Sequence, residues 1–291
     1  MGHNMIISSV GLADDNVLGA NSITNLSNIL YLALKYCQKY NVTLCADKTK
    51  LLMFGTHHQQ FLNIYNPIEI DGHKIDFSSS ADHVGILRSV DGNLPHIMAR
   101  ISSHERAIRA NLSSGLARSH RANPAASLKI ESMYATPVLL SGVASLVLTQ
   151  SETNMLNQHY KNVLQNLQKL PTQTPHSVTH FLAGNLPLTA QLHLRQIVLF
   201  SMICRLPDDP LHVHAKNILT MSKRSCKSWF WQIRDLFLKY NLPHPCHLLD
   251  HPPDKEKFKR LVRSRVIVHW EEKLRLEASI LPSWLISIHN S

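Results

Sequence analysis

The feature that most constrains the fold is an apolar run near the start of the chain that two adjacent acids interrupt. The run extends from Met5 to Ala20, with Asp14 and Asp15 near its middle and Asn16 after them. Val, Ile and Leu favour strands on both sides, whereas Asp and Asn tolerate a tight reversal between them. The pattern therefore predicts a β-hairpin with both carboxylates at its tip. Taken alone, the stretch is explained equally well by an ordinary acidic turn.

The charge of the chain favours an anionic partner. Thirty Lys and Arg residues against twenty Asp and Glu give a formal net charge of +10 over 291 residues. Such a balance is typical of proteins that bind polyanions, above all nucleic acids, although it does not say where the charge lies. Hydrophobic residues make up 44% of the chain, which is enough for one large or two medium cores.

Several classes of protein are disfavoured by what the sequence lacks. The five cysteines are widely spaced and odd in number, which does not suit a disulfide framework. Cys226, Cys246, His247 and His251 lack the close ligand pairs that are typical of structural zinc sites. The sequence contains neither a secretory leader nor a run of eighteen apolar residues. We therefore expect an intracellular protein without a membrane partner, in the nucleus or the cytoplasm.

A helix and a basic turn are predicted directly after the hairpin. Apolar residues recur every three or four positions from Ser22 to Tyr40, with Ser22 as the N-cap and Asn41 as the stop. The segments 42–45 and 51–55 are then predicted to be two short strands around a basic turn that contains Lys48.

These motifs, in this order, resemble the reverse transcriptase domain of non-LTR retrotransposons. The segment 12–18 resembles the aromatic-Ala-Asp-Asp motif of that family, 42–54 resembles its lysine-containing motif, and 81–88 resembles the strand pair of its primer grip. Leu12 stands where the family has an aromatic residue, and Cys45 stands where Asn is common. The resemblance covers about the first 150 residues well and the remainder loosely.

The resemblance implies an RNA-directed DNA polymerase that uses Mg²⁺. Asp14 would be a direct ligand of the ion and Asp15 a supporting one, because polymerases hold two divalent ions between carboxylates during in-line displacement at phosphorus. Lys48 would neutralise or protonate the leaving pyrophosphate. The alternative for Lys48 is a solvated turn lysine.

The same resemblance predicts that this site is incomplete. The family has another metal-binding Asp and the fingers N-terminal to the hairpin, whereas thirteen residues precede Asp14 in this sequence. Two carboxylates on one turn do not supply near-octahedral Mg²⁺ coordination. We therefore expect no DNA synthesis by this chain alone, unless the missing polymerase segment is supplied in trans.

Two basic segments are candidates for binding RNA or an RNA/DNA duplex. The segment 94–120 is predicted to be a helix that resembles a polymerase thumb, with Glu105 as its one acid. The candidate phosphate-binding residues are Arg88, Arg100, Arg106, Arg109, Arg118 and Arg121. The segment 255–265 is a second basic cluster, with Phe258, Leu261 and Val262 predicted on its apolar side. A solvated helix face is the alternative for both, and a nuclear address is a further one for the second.

The remaining patterns complete an α+β organisation. Strands are predicted at 61–65, at 68–77 with a turn at Asp71 and Gly72, and at 83–88 with Gly85 inside the strand. Helices are predicted at 125–133, 152–170, 188–206, 209–221, 225–240 and 254–276, and 137–148 is predicted to be a buried helix or hairpin.

Three regions follow from these elements. They are a partial polymerase palm at 1–92, made of antiparallel strands with a helix, a thumb-like basic region at 93–150, and a helical region at 151–291. Two functions remain open. One is the C-terminal part of a reverse transcriptase, and the other is a non-catalytic, basic helical protein that binds nucleic acid or a partner chain.

Overall fold

The computed structural model describes residues 9–12, 15–55, 68–70, 72–113, 123–221 and 228–279. The chain forms two compact units, Met1–His96 and Ile97–Ser291. In the described residues, the first unit holds three separate two-stranded antiparallel sheets, and the second unit is helical. The fold therefore belongs to the general α+β class that the sequence predicts.

The hairpin around the paired acids is present in the first unit. Strands β1 (Ser9–Leu12) and β2 (Asp15–Leu18) pair antiparallel, with Leu12 opposite Asp15. Only Ala13 and Asp14 separate the two strands in sequence, which suits a tight two-residue connection. Those two residues lie outside the described part of the chain.

Helix α1 (Ile23–Lys39) forms where the sequence predicts it. The Ser22 side chain accepts a hydrogen bond from the Asn25 backbone N–H at 3.2 Å, which satisfies one of the free donors at the start of the helix. The helix ends at Asn41, whose φ of 54° is left-handed, a conformation that Asn tolerates better than most residues.

The prediction of two strands around Lys48 is wrong. Residues 42–45 form no strand, Ala46–Lys48 is a single 3₁₀ turn, and Leu51 makes only an isolated bridge to Phe77. The reason is local, because both the N–H and the hydroxyl of Thr49 donate to the Cys45 carbonyl, at 3.1 and 2.8 Å. A Thr that bonds to nearby backbone closes a turn in place of a strand ladder.

Two further hairpins follow in the first unit. Strands β3 (Ile68–Ile70) and β4 (His73–Ile75) confirm the predicted hairpin at Gly72, whose φ is 80°; Asp71 lies outside the described residues, as does the strand predicted at 61–65. Strands β5 (Ser80–His83) and β6 (Ile86–Ser89) form the third hairpin.

The prediction of one continuous strand at 83–88 is wrong, because the chain reverses inside it. Val84 and Gly85 have φ values of 51° and 72° and form the two-residue turn between β5 and β6. Two consecutive residues with positive φ are typical of the type I′ turn, which matches the twist of the flanking strands. Val is a strand residue by propensity, which hides this turn in the sequence.

Ten α-helices are described from residue 94 onwards. They are α2 (Leu94–Ser113), α3 (Pro124–Ile130), α4 (Thr136–Leu139), α5 (Gln150–Gln168), α6 (His176–Ala183), α7 (Leu188–Ile203), α8 (Pro210–Thr220), α9 (Trp229–Lys239), α10 (Pro245–Asp250) and α11 (Lys255–Ser279). The five long helices after residue 150 agree with the prediction. The short helices α6 and α10 were missed because Pro175 and Pro245 look like breakers, whereas proline is well suited to the start of a helix.

A π-helical turn, Glu131–Ala135, joins α3 to α4. The Thr136 N–H bonds to the Glu131 carbonyl, one residue further back than in an α-helix. Pro137 follows at once and has no N–H to donate, so the wider turn lies where the regular bonding pattern is already broken. Glu131 consequently lies in the interior, with 2% of its surface exposed.

Two hydrophobic clusters stabilise the helical unit. One is centred on fully buried Tyr160 and Leu164 of α5, and the other on Phe200 of α7 and Phe237 of α9. Helix α11 joins the second cluster through a stripe at every fourth position: Phe258, Val262, Val266 and Trp270. This spacing places the four side chains on one face of the helix.

Candidate nucleic-acid interface

The predicted polymerase residues are only partly described. Asp14 lies outside the described residues, and Asp15 is the first residue of β2, with a side chain that is also outside them. Lys48 ends the 3₁₀ turn and is exposed. Among the described residues, no group of three or more His, Cys, Asp or Glu side chains is placed to hold a metal ion. The role of these residues stays a prediction.

The arginines of α2 do not form one exposed stripe. Arg106 and Arg109 are exposed, and the Arg106 guanidinium donates to the Ser103 hydroxyl at 2.9 Å. Arg100 is half-buried beside fully buried Ile97, and its Nε has no hydrogen-bond partner among the described residues. Spacings of six and nine residues from Arg100 turn Arg106 and Arg109 away from it on a 3.6-residue helix.

The other predicted arginines are separate from this face. Arg88 is exposed on β6, opposite Ala81. Arg118 and Arg121 lie outside the described residues. The exposed basic part of the thumb-like segment is therefore Arg106 and Arg109 in the described residues of α2.

A denser basic surface lies on the first half of α11. We call it the α11 basic face, and its members are the exposed residues Lys255, Lys257, Lys259, Arg260, Arg263 and Arg265. Glu256 is the one acid within this span. In the described part of the chain, none of the six side chains forms an ion pair with a carboxylate. Leu261, predicted on the apolar side, is 40% exposed and belongs to the outer surface.

The position of these charges along the helix is unfavourable in the absence of an anion. The N-terminal end of a helix carries a partial positive charge, so lysines and arginines there repel the dipole as well as one another. The Asp254 carboxylate accepts the Lys257 N–H at 2.9 Å and offsets part of this repulsion. A phosphate next to the α11 basic face would relieve the rest, because it neutralises the like charges.

A buried polar network in the helical unit was missed in the sequence. His104 is fully buried on α2, and its Nε2 lies 3.2 Å from Oε1 of Glu131. The Thr136 hydroxyl donates to the same oxygen at 2.6 Å, and Nδ1 of His104 lies 2.9 Å from Nε2 of His159 on α5. These residues are 23 to 55 positions apart except for Glu131 and Thr136, so no local pattern announces them.

The electrostatics of this network favour a structural role. Burial and the nearby Glu131 carboxylate raise the pKa of Tyr160, so its hydroxyl stays protonated. Burial and His104 lower the pKa of His159. The Thr136 hydroxyl already donates to Glu131 and is not available as a nucleophile. The network therefore fixes how α2, the π-helical turn and α5 pack, because each polar group needs its partner once water is excluded.

A second buried network ties α11 to α7 and α9. The Trp270 indole N–H donates to the Tyr240 hydroxyl at 2.9 Å, and that hydroxyl lies 2.7 Å from Nδ1 of His193. Burial lowers the pKa of His193 to about 3 and raises the pKa of Tyr240 to about 12. Both groups are neutral at pH 7, so Tyr240 donates its proton to His193. The network holds the inner side of α11 in place and leaves its basic side outward.

Comparison with known proteins gives no relative. No protein-family model matches the chain, and no curated protein or solved structure matches it. None of the described helices is long and apolar enough to cross a membrane.

Proposed function

We propose that this chain binds the phosphate backbone of RNA or of an RNA/DNA duplex without reading its sequence. The observation that carries the proposal is the α11 basic face, which presents six exposed cations against one acid. Lysines and arginines that lack carboxylate partners gain most from contacts to phosphate, since binding also releases the counterions condensed on the nucleic acid. Arg106 and Arg109 on α2 are a second, smaller source of contacts.

We further propose that the chain is the C-terminal portion of a non-LTR reverse transcriptase. The support is the order of motifs in the sequence, together with the hairpin β1–β2 that has Asp14 and Asp15 at its connection and α1 directly after it. In this proposal Mg²⁺ would be held by Asp14 and Asp15 and would supply charge neutralisation at phosphorus. A further acid, contributed in trans by another polymerase segment, would complete the site.

The binding proposal is tested with two charge-matched variants. Lys259→Gln with Arg263→Gln removes two cations from the α11 basic face, and Lys129→Gln with Lys169→Asn removes two exposed cations elsewhere in the helical unit. Asn at position 169 suits the left-handed φ of 58° there. Fluorescence anisotropy should show weaker RNA/DNA binding for the first variant alone, equally on unrelated sequences. Equal affinity of the two variants would overturn the proposal.

The competing function is a protein that binds a partner chain through the same face. A protein partner would contact a few of these side chains strongly and would not depend on polyanion length. If lengthening the duplex leaves the affinity of the wild-type chain unchanged, the partner-chain function is favoured.

A further inference from the structure

The outward side of α1 combines tyrosines and lysines in an unusual way. Exposed side chains recur at i, i+3 and i+4, and they form two adjacent rows, Tyr31–Lys35–Lys39 and Leu32–Tyr36–Tyr40. We call this surface the tyrosine–lysine face. The exposed fractions are 57% for Tyr31, 64% for Leu32, 63% for Tyr36 and 55% for Tyr40.

The rings and the ammonium groups of this face are already in contact with each other. Lys35 Nζ lies 4.6 Å from the centroid of the Tyr31 ring, and Lys39 Nζ lies 5.2 Å from that of Tyr40. The rings of Tyr36 and Tyr40 are 4.5 Å apart at an interplanar angle of 40°. Cation–π contacts of this kind hold the rings in fixed positions next to positive charge.

The charge of α1 selects for an anion. The helix contains Lys35 and Lys39 and no Asp or Glu over its 17 residues. Neither lysine forms an ion pair with a carboxylate in the described part of the chain. Exposed aromatic rings next to unpaired lysines suit unpaired bases joined by phosphates, because the rings stack on base faces while the ammonium groups contact the backbone.

We infer that the tyrosine–lysine face of α1 binds single-stranded nucleic acid by stacking bases on Tyr31 and Tyr36. The nine residues from Tyr31 to Tyr40 span about 13.5 Å of helix. That length matches about four stacked bases, which are separated by about 3.4 Å each. This inference rests on the proposed function in taking nucleic acid as the partner, but it concerns a surface and a strand state that the α11 basic face does not involve.

The experiment compares a fluorescein-labelled 12-residue oligo(dT) with a blunt 12-base-pair duplex, both titrated with the full chain. Tyr31→Leu with Tyr36→Leu keeps the apolar surface and helix propensity but removes both rings. We expect at least a tenfold loss of affinity for oligo(dT), because stacking on an aromatic ring contributes about 1–3 kcal/mol per base. The affinity for the duplex should change by less than about twofold, since its bases are already stacked.

Two control variants separate stacking from general damage to the helix. Tyr31→Phe with Tyr36→Phe retains the rings and should bind oligo(dT) within about twofold of the wild type. Lys35→Gln with Lys39→Gln should lower the slope of log affinity against log salt by about 1.4 for the single strand. Circular dichroism checks that α1 is intact in each variant.

The outcomes distinguish this inference from the proposed function. If the Leu variant binds oligo(dT) as the wild type does while the α11 variant binds duplex more weakly, the inference about α1 is wrong and the proposed function stands. If the wild type binds neither probe, both fail. If sedimentation shows self-association that the Leu variant abolishes and oligo(dT) does not, the face is a contact between copies of the chain and the inference is overturned.

Discussion

Lowering the pH from 7 to 5 should destabilise the helical unit by an amount that two histidines set. Burial, with His176 as a second cause, lowers the pKa of His180 to about 3, and burial with Lys239 and His269 lowers the pKa of His193 to about 3. An unfolded histidine has a pKa of about 6.5. Between these values the unfolded state binds one more proton per histidine, so stability is complete above pH 6.5 and is lost as the pH falls towards 3.

The size of the effect follows from the two shifts. Each histidine contributes a slope of about 1.4 kcal/mol per pH unit well below pH 6.5, which gives about 4 kcal/mol for both between pH 7 and pH 5. Urea unfolding followed by tryptophan fluorescence measures it, since all four tryptophans belong to the helical unit. In His193→Gln the pH dependence should be about half as large. A free energy of unfolding that differs by less than about 1 kcal/mol between the two pH values would refute the assignment of neutral, buried histidines.

Three other changes test the packing and the hairpin. Glu131→Gln should cost about 3 kcal/mol in urea unfolding, because it removes one partner of a buried pair and leaves His104 uncompensated; no measurable loss would contradict a buried role for the network. Val262→Ala should cost about 2 kcal/mol, whereas Val268→Ala on the same helix, 49% exposed, should cost less than about 0.5, and equal costs would contradict the orientation of α11. Primer extension on an RNA template with Mg²⁺ should give no product from this chain alone, and a product that Asp14→Asn abolishes would disprove the expected incompleteness.

The sequence predicted most of the helical architecture because periodicity and capping are local. Ser22 caps α1 as expected, and the stripe through Phe258 and Val262 fixes the inner side of α11. Phe230 and Trp231, read as core residues from their helical spacing, are each 5% exposed. Such features depend on a few neighbouring residues, so the sequence alone is sufficient for them.

The failures share a different cause. The strands expected around Lys48 depend on partners far along the chain, and Thr49 instead bonds to local backbone. The turn at Val84 is hidden because its residue type favours strands. Long-range pairing decides both positions, and propensity carries no information about it.

The candidate site was predictable in kind but not in place. The excess of positive charge indicated an anionic partner, yet the sequence placed most of the expected contacts on α2. Burial of Arg100 removes it from the exposed side of that helix, and the denser surface is the α11 basic face. The pairing of His104 with Glu131 had no sequence signal, because 27 residues separate the two.

The most direct test of the proposed function is the salt dependence of RNA/DNA duplex binding. The logarithm of the affinity should fall linearly with the logarithm of salt concentration, and the slope should decrease in magnitude by about 1.8 when Lys259→Gln and Arg263→Gln remove two phosphate contacts. The matched change at Lys129 and Lys169 should leave the slope unchanged. A slope that is identical in all three proteins would contradict backbone binding by the α11 basic face.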